Sequence, residues 1–142
     1  MNEVTFRSAT MDDAASIARL VTQLGYPTER TDMEQRLRAF SHADYMTIVA
    51  EMSGQAVGLV GAYVGYALEL NSRHAYLTGL VVDEGNRRQR IGRLLMEQIE
   101  GLLKERGVST VSLTSGNHRS DAHEFYKSSG DQMTGLRFAK RL

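Results

Sequence analysis

Residues 81–95 read VVDEGNRRQRIGRLL, and the fold is decided by how that stretch is parsed. The two leading valines end a nearly continuous apolar run, Ala75 to Val82, as expected of a central strand buried on both faces. Ile91, Leu95, Ile99 and Leu102 then recur at helical spacing, so a helix begins directly after Asp83–Arg90 and closes at Gly107. Strand, turn and helix in that order expose backbone N–H groups at a helix N-terminus. Those donors lack partners within the helix and carry the positive end of its dipole, which suits a phosphate. Gly92 lets an anion approach the backbone closely. Arg87, Arg88, Arg90 and Arg93 place four positive charges within seven residues. In a first helical turn they oppose the dipole, which is sensible if an anion sits there. The plain alternative is a solvated, arginine-rich helix start.

Upstream, Val4 to Arg7 is a short strand, and Thr10 with Asp13 resembles a capping box with Asp in place of Glu. Ala14, Ile17, Ala18, Val21 and Leu24 give the following helix one apolar face, ending at Gly25. Thr31 with Glu34 has true capping-box spacing and predicts a second helix running to about Ser41. Met46–Glu51 and Ala56–Ala67 are strand-like runs joined by the turn pair Ser53-Gly54, an antiparallel hairpin. Downstream, Val108–Thr114 alternates like a strand, and Ser120–Ser129 is a short helix capped at Gly130. Thr134-Gly135 offers one last hairpin. The resulting order is β-α-α-β-β-β-α-β-α-β-β.

A chain of 142 residues is the size of a single domain, expected here over 1–142. With 42% hydrophobic and 24% charged residues it has a globular composition rather than a disordered one. Lys and Arg total 17, as do Asp and Glu, so overall charge argues for neither nucleic acid nor an acidic membrane as partner. The absence of cysteine removes disulfides, thiolate zinc sites and a cysteine nucleophile. No secretory signal pattern opens the chain and no run nears the roughly 18 apolar residues of a membrane span, so a cytoplasmic protein is expected.

At Arg87, Arg90 and Gly92 the chain resembles the GNAT superfamily of N-acetyltransferases, whose acetyl-CoA loop reads Arg/Gln-x-x-Gly-x-Gly/Ala. Arg90 stands where the family usually has its first glycine. Leu80-Val81-Val82-Asp83 looks like the family's strand end, and Glu51-x-x-Gly54-x-x-Val57-Gly58 like its preceding hairpin. The resemblance implies an α+β fold in three α/β/α layers. It implies a mixed, mostly antiparallel sheet of six to seven strands, flanked by about four helices and splayed between the fourth and fifth strands. It further implies that backbone amides of Arg88, Gln89, Arg90, Ile91, Gly92 and Arg93 hold the pyrophosphate of acetyl-CoA. Edge groups of Leu80, Val81 and Val82 would pair with the pantetheine amides, an amide-bearing ligand completing a ladder that would otherwise be costly to leave open.

The segment from Arg119 to Tyr126 resembles the family's second cofactor motif, in which Asn-x-x-Ala-x-x-x-Tyr opens and crosses a short helix. Arg119 occupies the asparagine position, where it can still donate to the cofactor. Tyr126 matches the tyrosine that protonates departing CoA, and a hydroxyl suits that task because attack on a thioester expels a thiolate. Ala122, Phe125 and Tyr126 also form an ordinary packing stripe, which is the competing reading.

An amine must lose a proton before attack, its reference pKa being about 10.4 for a lysine side chain. No acid lies between Glu69 and Asp83. Glu69, His74 and Tyr76 are base candidates by position, each with an ordinary structural reading beside it. His118 and His123 are poorly spaced for a metal, and none is expected. The leading function is acetyl transfer from acetyl-CoA to a primary amine, with a noncatalytic acyl-CoA sensor as the alternative. A nucleic-acid binder using the arginines of 87–93 fits less well, since no wider basic or aromatic pattern supports it. A homodimer is the self-association to test.

Overall fold

Val49, Leu59 and Val81 stand in register on one face of the sheet, and Gly58 lies on the other, against Leu95 and Ile91. The structure, a computed structural model, describes residues 3–115 and 119–142 and divides into two compact units, Met1–Ser112 and Leu113–Leu142.

The first unit contains β1 (Val4–Ser8), α1 (Ala14–Leu24), α2 (Arg30–Ala39), β2 (Tyr45–Met52), β3 (Gln55–Tyr66), β4 (Arg73–Val82), α3 (Ile91–Glu105) and β5 (Val108–Ser112). The strands lie in sequence order, antiparallel from β1 through β4, with β5 joining β4 in parallel. A parallel neighbour requires a crossover, and α3 supplies it. Ala14, Ile17, Ala18 and Leu20 of α1 pack with Met33 of α2 on Val49, Leu59 and Val81. On the opposite face, Ile91 and Leu95 of α3 come so close to Gly58 that a Cβ there would stand 3.1 Å from Leu95 Cδ1. The layers are therefore helices, sheet, helix.

Local chemistry explains the connections. Ser53 and Gly54 both adopt positive φ, 53° and 79°, the geometry of a two-residue hairpin whose twist matches its strands. Asp13 accepts the Thr10 N–H at 2.7 Å and a two-pronged contact from Arg7, both prongs at 2.8 Å. These bonds, that of Arg7 foremost, hold its carboxyl below the usual carboxylate range. The second helix begins earlier than the Thr31–Glu34 pattern predicts. Glu29 is its N-cap, Thr31 lies inside it, and Glu34 instead pairs with Arg30 at 2.9 Å.

Leu113–Leu142 holds α4 (Ser120–Ser128). Asp131 N–H bonds to the Tyr126 carbonyl and Gly130 N–H to that of Lys127, with Gly130 at φ 95°, so a Schellman cap ends the helix.

The described residues thus form an α+β fold of five strands and four helices, and the expected six to seven strands are corrected to five. Residues 131–142 form no strand. The reason is local: Asp131 and Gln132 are weak strand formers, and only three residues separate the α4 cap from Thr134-Gly135, too few for a hairpin arm. A second expectation, β4 buried on both faces, holds at Ala75, Leu77 and Val81 but not at Thr78, which is exposed.

Candidate functional site

Parallel pairing of β4 with β5 stops early. Its rungs are Arg73–Val108, His74–Thr110, Ala75–Val111 and Tyr76–Ser112, and no later residue of β4 pairs with β5. The β5-facing edge of Leu77–Val82 is therefore open, and this is the expected splay. At the same place the β3–β4 register slips: Gly61 faces Gly79 and Ala62 faces Leu77, leaving Thr78 as the extra residue of a bulge.

Beyond Val82 the chain makes a short helical turn at Glu84–Asn86 and then the exposed run Arg87-Arg88-Gln89-Arg90. Arg88 and Arg90 both take φ 65°, the left-handed region. Arg90 is the N-cap of α3, and the first bond back into the helix runs from Leu94 N–H to its carbonyl at 3.0 Å. The N–H groups of Ile91, Gly92 and Arg93 consequently have no intrahelical partner. Left-handed residues flanking a helix N-terminus form the concave array of donors that receives anions. The positive φ explains why a glycine would be natural at position 90, since a Cβ there costs about 1–2 kcal/mol.

Asp83 anchors this cradle. Its carboxylate accepts Gln23 Nε2 at 2.8 Å, Arg19 Nη1 at 2.5 Å and Asn86 Nδ2 at 3.0 Å, while Gln23 Oε1 takes the Glu84 N–H at 3.1 Å. Those bonds, Gln23 first, keep its carboxyl below the usual range. Sequence reasoning placed Asp83 only at a strand end; the Asp-Glu-Gly-Asn turn chemistry was the signal for its local role. No local pattern pointed to Arg19 or Gln23, which lie more than 55 residues away in the chain, at separations of 64 and 60.

The structure gathers Leu80, Val81, Val82 and residues 87–93 along one path from the open edge to the helix end. Val81 and Ile91 point inward, 5% and 1% exposed, so they contribute backbone rather than side chain. Arg87 folds back, its Nε donating to the Val82 carbonyl at 3.2 Å. Arg119 is the N-cap residue of α4 and makes no side-chain cap; its carbonyl accepts the His123 N–H at 3.1 Å. Tyr126 is half-buried on the same helix, its ring edge-on to Phe125 at 5.4 Å. Burial pushes its phenol above the ordinary value, Asp131 adds to that, and Arg119 opposes it.

Of the base candidates, Glu69 is an exposed loop residue and Tyr76 sits in a row with Tyr63, ring centroids 5.6 Å apart. His74 is held by two hydroxyls of β5, Thr110 and Ser112. His118 lies outside the described residues. Among the described residues no three His, Asp or Glu side chains gather as a metal site, and no helix is long and apolar enough to cross a membrane.

The site is thus a strand edge without a β5 partner that leads through a turn into a helix N-terminus, on an α+β sheet. The profile of the Acetyltransferase (GNAT) family matches residues 11–130, and the chain belongs to that family. It is 27% identical over 141 residues to the aminoalkylphosphonate N-acetyltransferase of Salmonella typhimurium, covering 96% of this chain and 90% of that one. It is 33% identical over 90 residues to human N-acetyltransferase 8, covering 63% of this chain and 40% of that longer protein. The structure superposes on an aminoglycoside N-acetyltransferase, AAC(6')-Iy, solved in complex with CoA, with a TM-score of 0.88 at 14% identity, covering 100% of this chain and 96% of the other.

Proposed function

We propose that the protein transfers the acetyl group of acetyl-CoA to a primary amine. The observation that carries this reading is the edge of Leu77–Val82, unpaired by β5, leading into a helix N-terminus whose first donors have no partner within the helix. Backbone N–H groups of Arg88–Arg93 bind the pyrophosphate, and the edge of Leu80–Val82 pairs with the amides of the pantetheine arm. Arg87 leaves the Val82 carbonyl for a phosphate oxygen, exchanging a neutral acceptor for a charged one. Arg119 adds a further donor to the cofactor.

Acetyl-CoA supplies an activated acyl group, and no covalent enzyme intermediate is needed. Tyr126 donates a proton to the leaving thiolate, a role supported by the burial that keeps its phenol protonated. Of the two protons the ammonium nitrogen sheds, one goes to a base and the other balances the one gained by sulfur.

Titration with acetyl-CoA followed by CoA release across a panel of amines tests the proposal. Binding with turnover supports the enzyme. Binding without turnover identifies the noncatalytic sensor instead, and no binding overturns both.

A further inference from the structure

The mechanism above leaves the substrate's first proton without an acceptor. Ser112 forms the last rung between β4 and β5, opposite Tyr76, so it stands where the paired part of the two strands ends. It is exposed, as is Thr110, and both lie on one face of β5 because they are two residues apart. His74 spans them: Nδ1 is 2.7 Å from Thr110 Oγ1 and Nε2 is 2.9 Å from Ser112 Oγ. Strands already joined by backbone rungs at these positions do not need a side-chain bridge to stay paired.

We propose that His74, held by Thr110 and acting through the Ser112 hydroxyl, accepts the proton of the acceptor ammonium. The inference rests on the acetyl-transfer reading. Thr110 accepts Nδ1–H, which leaves the Nε2 lone pair facing Ser112. Ser112 Oγ takes a proton from the substrate's R–NH3+ as its own hydroxyl proton passes to Nε2, giving R–NH2 and an imidazolium. The imidazolium then discharges to solvent, and the serine is restored. Ser112 touches the substrate; His74 and Thr110 act behind it.

The elements packed against His74 carry few charges. On β3 the register partner of His74 is Gly65, with Tyr63 and Tyr66 nearby. β5 reads Val-Ser-Thr-Val-Ser and carries no charge. On its own strand, Tyr76 lies two residues on, and Arg73 is occupied by Asp44 at 3.3 Å and the Arg106 carbonyl at 3.2 Å. No acid lies between Glu69 and Asp83 to compete for the task.

The test compares wild type with His74→Gln, Ser112→Ala and Thr110→Val for acetyl-CoA affinity, melting temperature and rate of CoA release against pH. In wild type the rate falls on the acid side as the accepting base becomes protonated. His74→Gln is expected to lose about a hundredfold in kcat with acetyl-CoA affinity and melting kept, and its acid limb moves toward the amine's own pKa. Ser112→Ala follows it, and Thr110→Val loses less. Added imidazole restores turnover to His74→Ala. A His74→Gln enzyme with wild-type kcat and acid limb overturns the proposal while leaving acetyl transfer standing. If His74→Gln does not fold, Ser112→Ala decides, and unchanged kcat there overturns it equally. A wild type that binds acetyl-CoA but acetylates no amine removes the parent reading and this one with it.

Discussion

Arg19 of α1 places Nη1 2.5 Å from the Asp83 carboxylate, so the first helix is tied to the turn that follows the central strand. With Gln23 and Asn86 on the same carboxylate, Asp83 fixes where the turn before α3 starts.

Asp83→Ala releases all three partners. The Arg19 side chain is 48% exposed, so its ion pair contributes little by itself, and the neutral bonds to Gln23 and Asn86 matter more. The expected loss is about 1–2 kcal/mol of stability, read by denaturant unfolding. Acetyl-CoA affinity falls roughly tenfold by calorimetry, about 1.4 kcal/mol, because the turn before α3 loses its anchor. Because its folded pKa is depressed, the contribution of Asp83 is present at neutral pH and fades as pH falls through that value, below 3.8.

Arg90→Gly tests the left-handed N-cap. At φ 65° the arginine bears a Cβ in a region that costs about 1–2 kcal/mol, part of which glycine returns through its freer unfolded chain. The variant gains about 0.5–1 kcal/mol in urea unfolding. Acetyl-CoA binding is retained within a few-fold, since the donors are backbone groups. A binding loss of a hundredfold would assign the role to the guanidinium instead.

How much of this was legible in the sequence depends on range. Ser53-Gly54, the α1 and α3 apolar stripes and the 81–95 segment are local patterns that fold as expected, except that α3 buries Leu103 and leaves Leu102 38% exposed. Thr31–Glu34 misled because a capping-box spacing competes with an upstream N-cap, Glu29, and an internal Arg30–Glu34 pair that satisfies the same glutamate. The site's supports are non-local: Arg19 and Gln23 reach Asp83 only once α1 has packed on β3 and β4, and His74 meets Ser112 only once β4 and β5 pair. The tail failed as a hairpin for want of a first arm.

Gly58→Ala probes the packing beneath the cradle. A Cβ at this position meets Leu95 Cδ1 at 3.1 Å, the Val81 carbonyl at 3.2 Å and Ile91 Cγ2 at 3.5 Å. Leu95 and Ile91 press on the new methyl from α3 and the Val81 carbonyl presses on it from the sheet, so both α3 and the β3–β4 pairing must give. Overpacking of this kind costs about 1–3 kcal/mol, measured by thermal or denaturant unfolding. The same shift moves the N-terminus of α3 against β4, and acetyl-CoA affinity is expected to drop with stability; a stable variant with full affinity would show that the two elements are not rigidly coupled.

Tyr126→Phe removes one oxygen from a helix position that is only half-buried, so the fold is expected to tolerate it with a melting temperature near wild type. If the phenol protonates the leaving thiolate, turnover falls about a hundredfold while acetyl-CoA binding survives. The pH dependence separates this from a packing role. Burial and Asp131 raise the phenol above 10.0, so the donating, neutral form persists through the physiological range and is lost only as pH climbs through that raised value. Asp131→Asn removes the nearby carboxylate that contributes to the shift, and the alkaline limb of kcat is expected to move down in that variant while Tyr126→Phe loses the limb altogether. Steady-state rates from pH 6 to 11 read both effects, and an alkaline limb that survives in Tyr126→Phe assigns the proton to another donor.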